Sequence, residues 1–154
     1  MSLDSLYQQV ILEHSKERHG SGFGGGQSEP PDVEGAAHGE SHQLNPVCGD
    51  EVTVRVEARD GAIASLRWEG HGCSISMASA SVLHDLAEGA TADEFHEVVD
   101  AFRDMVRSRG KVSGDPDILG DAAAFEGVSR YVARVKCAMI AWVAAEDAAR
   151  QAGV

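Results

Sequence analysis

Aromatic residues are scarce in this chain. Two Trp, two Tyr and four Phe make up 5% of 154 residues, so Val, Ile, Leu, Met and Ala are expected to supply most of the core. Basic side chains are also few. Thirteen Lys and Arg face 25 Asp and Glu, giving a net charge of −12. That balance disfavours nucleic acid and anionic membrane as partners and suits a partner with a basic docking surface. No apolar run approaches the ~20 residues of a membrane span. Met1 to Val10 lack a basic stretch followed by an apolar block, so no secretory signal is expected and the expected location is cytoplasmic. Cysteine numbers three, an odd count with no CxxC pair. This argues against a disulfide framework and against zinc-finger spacing. In a reducing compartment such cysteines are free thiols, metal ligands or reactive sulfurs.

What is present reads as globular. Apolar residues are 43% and charged residues 25%, and the length favours one domain spanning residues 1–154. Leu3, Leu6, Tyr7, Val10, Ile11 and His14 recur at helical spacing, which predicts an amphipathic helix over 3–17. Residues 20–41 are rich in Gly, Pro, Glu and Ser and read as a mobile loop. Val52, Val54 and Val56 alternate with polar residues, and Ile63, Leu66 and Trp68 suggest a second strand. Asp60-Gly61 between them is a hairpin turn signal. Ile75, Met77, Val82, Leu83 and Leu86 predict a helix over 74–88, closed by Gly89. Thr91 and Glu94 form a capping-box pair opening a helix to about Arg107. Residues 109–121 read as a loop, and a last helix is expected from about Ser129 to Ala149. The order predicts an α+β fold: a small antiparallel sheet of about three strands packed with helices.

Three cysteines carry the chemistry. Cys48 lies in Asn45-Pro46-Val47-Cys48-Gly49-Asp50, a turn before the valine strand. Cys73 lies in Gly70-His71-Gly72-Cys73-Ser74, between strand and helix, where helix N–H groups would lower a thiol pKa. Cys137 lies inside the last helix beside Arg134 and Lys136, whose charges would also favour thiolate. Asp50 is the natural fourth member, because residues two apart in a turn can reach one ion. Zinc takes four ligands, thiolate preferred and carboxylate allowed. Spacing alone leaves a second reading open, since free cysteines are often small buried hydrophobes.

The strings Asn45-Pro46-Val47-Cys48-Gly49-Asp50, Gly70-His71-Gly72-Cys73-Ser74-Ile75-Ser76-Met77-Ala78-Ser79-Ala80-Ser81 and Ala133-Arg134-Val135-Lys136-Cys137 closely resemble the three cysteine motifs of the SufU family, related to IscU and NifU N-terminal scaffolds. The resemblance begins at Leu6-Tyr7-Gln8-Gln9-Val10-Ile11-Leu12 and runs to Trp142, apart from the 20–41 loop. It implies that Cys48, Asp50, Cys73 and Cys137 hold Zn²⁺. It also implies that Cys48 accepts sulfane sulfur from a SufS-type cysteine desulfurase and that Arg134 contacts that partner. Downstream Suf scaffold proteins are the implied recipients. IscU proteins have histidine directly before the third cysteine, where this chain has Lys136, and residues 119–128 resemble a SufU insertion. Both features favour zinc-dependent sulfur transfer in iron–sulfur cluster assembly. The alternative is a scaffold on which a nascent Fe–S cluster is built. The chain departs from the family pattern at Lys16-Glu17-Arg18-His19-Gly20, where Asn-Pro-Arg-Asn is usual, and at Val132, where proline is usual.

Other signals are weaker. Residues 20–25 match GxGxxG but follow a helix rather than a strand. Asp115, Asp117, Gly120 and Glu126 fall on calcium-loop positions, with Leu119 where an oxygen is needed. His38 and His42 read as solvated loop residues, and His14, His84 and His96 as helix-surface residues. His71, two before Cys73, is a substitute ligand should Asp50 not serve. Lys136 reads either as a solvated side chain or as a thiolate-stabilising one.

Overall fold

A computed structural model describes residues 3–23 and 35–154. Helix α1 (Leu3–Glu17) precedes a three-stranded antiparallel sheet of β1 (Ala37–Asn45), β2 (Asp50–Arg59) and β3 (Ala62–His71), in the spatial order β1-β2-β3. Helices α2 (Ser74–Ala87) and α3 (Ala92–Val106) follow. Next come a short helix α4 (Pro116–Leu119), a 3₁₀ segment (Gly120–Arg130) and the long helix α5 (Val132–Gln151). The α+β architecture and the antiparallel sheet match the sequence reading.

The two hairpins are built as their sequences require. Asp60 and Gly61 both take positive φ, 54° and 75°, and this left-handed pair matches the right-handed twist of β2 and β3. Residues Asn45 and Asp50 pair at the other end of β2, leaving Pro46 to Gly49 as a four-residue loop. Gly49 (φ 72°) turns that loop and donates its N–H to the Asn45 carbonyl at 2.8 Å. The loop carrying Cys48 is therefore held at both sides by the strand ladder.

One face of the sheet is the core. Val52, Val54, Val56, Ile63, Leu66 and Trp68 are buried there against α2 and α5. Scarcity of aromatics did not keep them from the centre. The five largest fully buried side chains are Trp68, Trp142, Phe95, Phe102 and Phe125. Phe102 of α3 stacks on Trp142 of α5 with centroids 4.0 Å apart, and Trp142 Nε1 donates to Ser79 Oγ at 2.9 Å. Ser76, Ser79 and Ser81 of α2 are likewise buried but satisfied, so a Ser- and Ala-rich helix can lie between α1, β3 and α5 without leaving these hydroxyls unpaired. The α3 capping box is present in full: Thr91 Oγ1 accepts from Glu94 N, and Glu94 Oε1 accepts from Thr91 N. Those bonds hold the Glu94 carboxyl below its usual range.

Four expectations are corrected. Residues 37–41 are not loop but the first half of β1. The buried face of β1 carries Gly39, Ser41 and Asn45, which have no apolar alternation to read. Gly39 is required because a Cβ there would overlap the Ala148 carbonyl of α5. Residues 20–22 pair with Trp68: Trp68 N donates to Gly20 O and Gly22 N to Trp68 O. Gly20 and Gly22 are thus strand-edge residues, and Gly24 and Gly25 of the GxGxxG match lie outside the described residues. The last helix starts at Val132 rather than Ser129, because the preceding residues wind as 3₁₀. Finally, His14 and His84 are not surface residues. His14 is buried between α1, α2 and the 3₁₀ segment, and the His84 ring bonds the Leu66 carbonyl at 2.7 Å.

Candidate functional site

Three separate segments converge at one end of the sheet. Cys48 sits in the β1–β2 loop and is exposed, Cys73 caps the N-terminus of α2 and is half-buried, and Cys137 lies in the second turn of α5 and is buried. Asp50, the first residue of β2, is fully buried. One ligand atom from each of Cys48, Asp50 and Cys137 lies within 4.8 Å of the other two. The Cys137 thiol reaches Cys48 Sγ at 3.5 Å. Cys73 joins through Asp50: its Sγ lies 3.9 Å from Asp50 Oδ2, and its N–H donates to Asp50 Oδ1 at 2.9 Å. All four residues singled out in the sequence are brought together, with Cys73 at the edge of the group.

Each position has a local cause. Cys73 has extended backbone (φ −69°, ψ 166°), as an N-cap must, while its carbonyl accepts from Met77 N and from Ser76 Oγ. Its sulfur makes no side-chain cap bond to the helix N–H groups and turns instead toward Ser76 Oγ, at 3.5 Å, and Asp50. The expected helix contact is thus taken over by the carboxylate. Gly72 clears the way: a Cβ there would run into Asp50 Oδ1 and come within 2.7 Å of Ser76 Oγ. Arg18 supports the same corner from α1's end. Its guanidinium lies 4.8 Å over the Trp68 ring and donates to the Gly70 carbonyl at 3.0 Å.

Electrostatics decide what such a cluster can hold. Burial pushes the Cys137 thiol well above its ordinary value, and hydrogen bonds to Asp50 and Cys48 push further in the same direction. The expectation that flanking cations would make Cys137 a thiolate is therefore corrected. Lys136 and Arg134 are exposed, and neither contributes to its shift. The negative forms of Cys73 and Asp50 act on Cys137 in the same upward direction. A cation between them reverses that balance, and thiolate plus carboxylate is a donor set that suits zinc. The residues present fit that ion.

The remaining expectations fall out by place. Arg134 lines a shallow pocket with Cys73, Ile75 and Tyr131, so it stands at the rim of the cysteine group. His71 is 75% exposed and turns to Glu51 at 3.6 Å, away from the four. Lys136 faces a groove with Val106 and Met139. Asp115 caps α4 by accepting from Asp117 N at 3.0 Å, which makes it a helix cap. His38 and His42 stand on β1, both exposed, with His42 bonded to Glu51.

Sequence reasoning missed a second polar cluster. His14 Nδ1 meets Ser81 Oγ at 2.7 Å and Nε2 meets Asp121 Oδ2 at 2.9 Å, while His19 Nδ1 meets Asp85 Oδ2 at 2.8 Å. A signal was available, because His14 continues the apolar stripe of α1 and a polar residue on that stripe must find buried partners.

Comparison with known proteins agrees with the fold. The family described as NifU-like N terminal domain matches residues 6–138. The zinc-dependent sulfurtransferase SufU of Bacillus subtilis (strain 168) is 35% identical over 145 residues, covering 94% of this chain and 90% of that protein. The iron–sulfur cluster assembly scaffold protein IscU of Streptococcus pyogenes serotype M1 is 32% identical over 150 residues, covering 97% and 86%. The crystal structure of a nitrogen-fixing NifU-like protein (N-terminal) from Brucella abortus superposes with a TM-score of 0.75 at 29% identity, covering 98% of this chain and 96% of that one. With the match spanning most of its length, this chain belongs to the NifU-like N-terminal domain family, as a relative of the SufU and IscU proteins.

Proposed function

We propose that this protein is a zinc-dependent sulfurtransferase of iron–sulfur cluster assembly, taking persulfide sulfur from a SufS-type cysteine desulfurase onto Cys48. The observation that carries the reading is the contrast within the cluster. Cys48 alone is exposed, on a four-residue loop, while its sulfur still reaches the buried Cys137 at 3.5 Å. Cys73 and Cys137 are fixed by helices and cannot swing out without unwinding an element. Cys48 can move with its loop, and Gly49 leaves space beside it, since a Cβ there would meet nothing within 4 Å.

Cys48, Asp50, Cys73 and Cys137 would hold the zinc, which when bound keeps the thiols deprotonated near neutral pH. The Cys48 thiolate attacks the outer sulfur of the desulfurase persulfide. A new S–S bond forms on Cys48, the donor's S–S bond breaks, and the electron pair leaves on the desulfurase cysteine as thiolate. No outside oxidant or reductant is needed. Arg134, at the pocket rim beside Cys73, would contact the desulfurase. Downstream Suf scaffold proteins would then take the sulfur. The likeness to the SufU of Bacillus subtilis, zinc-dependent by name, supports this reading.

The likeness to IscU scaffold proteins supports a second reading, in which the same three cysteines hold a nascent Fe–S cluster. Metal content of protein purified without added metal separates the two. One zinc per chain supports transfer, whereas bound iron and sulfide with substoichiometric zinc supports the scaffold.

A further inference from the structure

The cluster around His14 sits at the other end of α2 from the cysteines. Ser81 and Asp85 lie eight and twelve residues beyond Cys73, which along a helix is about 12 and 18 Å. Three elements meet there: the end of α1 with His14 and Glu17, the middle of α2 with Ser81 and Asp85, and the 3₁₀ segment with Asp121. Two imidazoles approach edge to face with centroids 4.8 Å apart, and carboxylates surround them.

We propose that His14, His19 and Asp85 form a second metal site, for a divalent ion of the imidazole-binding kind such as Zn²⁺. Ligand atoms from these three residues lie within 4.8 Å of one another. Around a tetrahedral zinc with N and O ligands the donor atoms stand about 3.4 Å apart, so closing on an ion needs small side-chain movements only. Metal-binding histidines are generally oriented by a partner on the second ring nitrogen. Both rings have one. His19 Nε2 meets Glu17 Oε2 at 3.0 Å. His14 has Ser81 Oγ on one nitrogen and Asp121 Oδ2 on the other, so whichever nitrogen binds, its opposite is held. Ser81 Oγ is itself fixed by the His19 N–H at 2.9 Å. His14 is 4% exposed and exchanges one of its two ring hydrogen bonds for the ion, whereas His19 and Asp85 have side chains 37% and 43% exposed, leaving an open side for water to complete the coordination. The donors are nitrogen and oxygen, unlike the sulfur-rich centre, so the ion binds more weakly and exchanges freely. It would pin the corner where α1 ends against α2.

The test is calorimetric titration with Zn²⁺ alone, on full-length protein first charged with one equivalent of zinc and desalted. Wild type is expected to take up a further equivalent. His19→Asn and Asp85→Asn should each weaken that uptake at least tenfold while the metal retained through desalting stays unchanged. Both positions are partly exposed, and Asp85→Asn is isosteric, so the fold is kept. The site is read as the difference between wild type and variant, independently of what the cysteines hold. Absence of the further equivalent, or a loss smaller than tenfold in either variant, overturns the proposal.

Discussion

At the residue scale, Asp50 and Gly72 are the most informative positions. Asp50 has no exposure and bonds the Cys73 N–H, so as a zinc ligand it would serve both the metal and the backbone that presents Cys73. Removing even an outer-sphere partner of a metal ligand costs about 10–100-fold in affinity, and a direct ligand costs at least as much. Asp50→Ala is therefore expected to speed zinc release tenfold or more, read by a chromophoric chelator. Unchanged release would place the fourth ligand elsewhere. Gly72→Ala makes an independent check, because its Cβ would displace the Asp50 carboxylate without removing a donor. It should reproduce the faster release, and wild-type kinetics in Gly72→Ala would remove Asp50 from the ligand set. The four residues of this site were legible because the three cysteine strings resemble the motifs of a known family; their spacing alone left buried thiols as an open alternative. The protonation of Cys137 was not, since its neighbours in sequence are cations while its neighbours in space are Asp50 and Cys48.

Elements were legible where periodicity and punctuation coincide. Helix α3 shows this: its start was read from the Thr91 and Glu94 capping box, and its end falls at the expected Arg107. Thr91→Ala should destabilise the protein by about 1 kcal/mol in denaturant unfolding, the usual loss for an N-cap side chain; no change would mean that tertiary packing alone holds the helix start. Strand β1 shows the opposite case. Its register is set by backbone pairing to β2 and by α5 lying across Gly39 and Ser41, where the amide of α5's Gln151 donates to the Glu40 carbonyl at 2.9 Å. None of that leaves an apolar pattern. Gly39→Ala is expected to lower stability by about 1–3 kcal/mol through overpacking against Ala148. A neutral result would mean that α5 can lift from the sheet at no cost.

At the scale of the whole molecule, the cysteine centre ties together the β1–β2 loop, the start of α2 and α5. Structural zinc contributes on the order of 10 kcal/mol in domains without a core of their own. Here a core exists, so about 3 kcal/mol is a fair share, and for a chain of this size that lowers Tm by about 6–12 °C on chelation. An unchanged melting curve after verified zinc removal would contradict a shared site. The central claim is that only Cys48 carries sulfur. Its most direct test is mass analysis of the peptides after incubation with a cysteine desulfurase and cysteine. The account predicts one added sulfur on the peptide containing Cys48, and none on Cys48→Ser, which stays folded but no longer stimulates the desulfurase. Added sulfur on Cys73 or Cys137, with Cys48→Ser still stimulating, would contradict it.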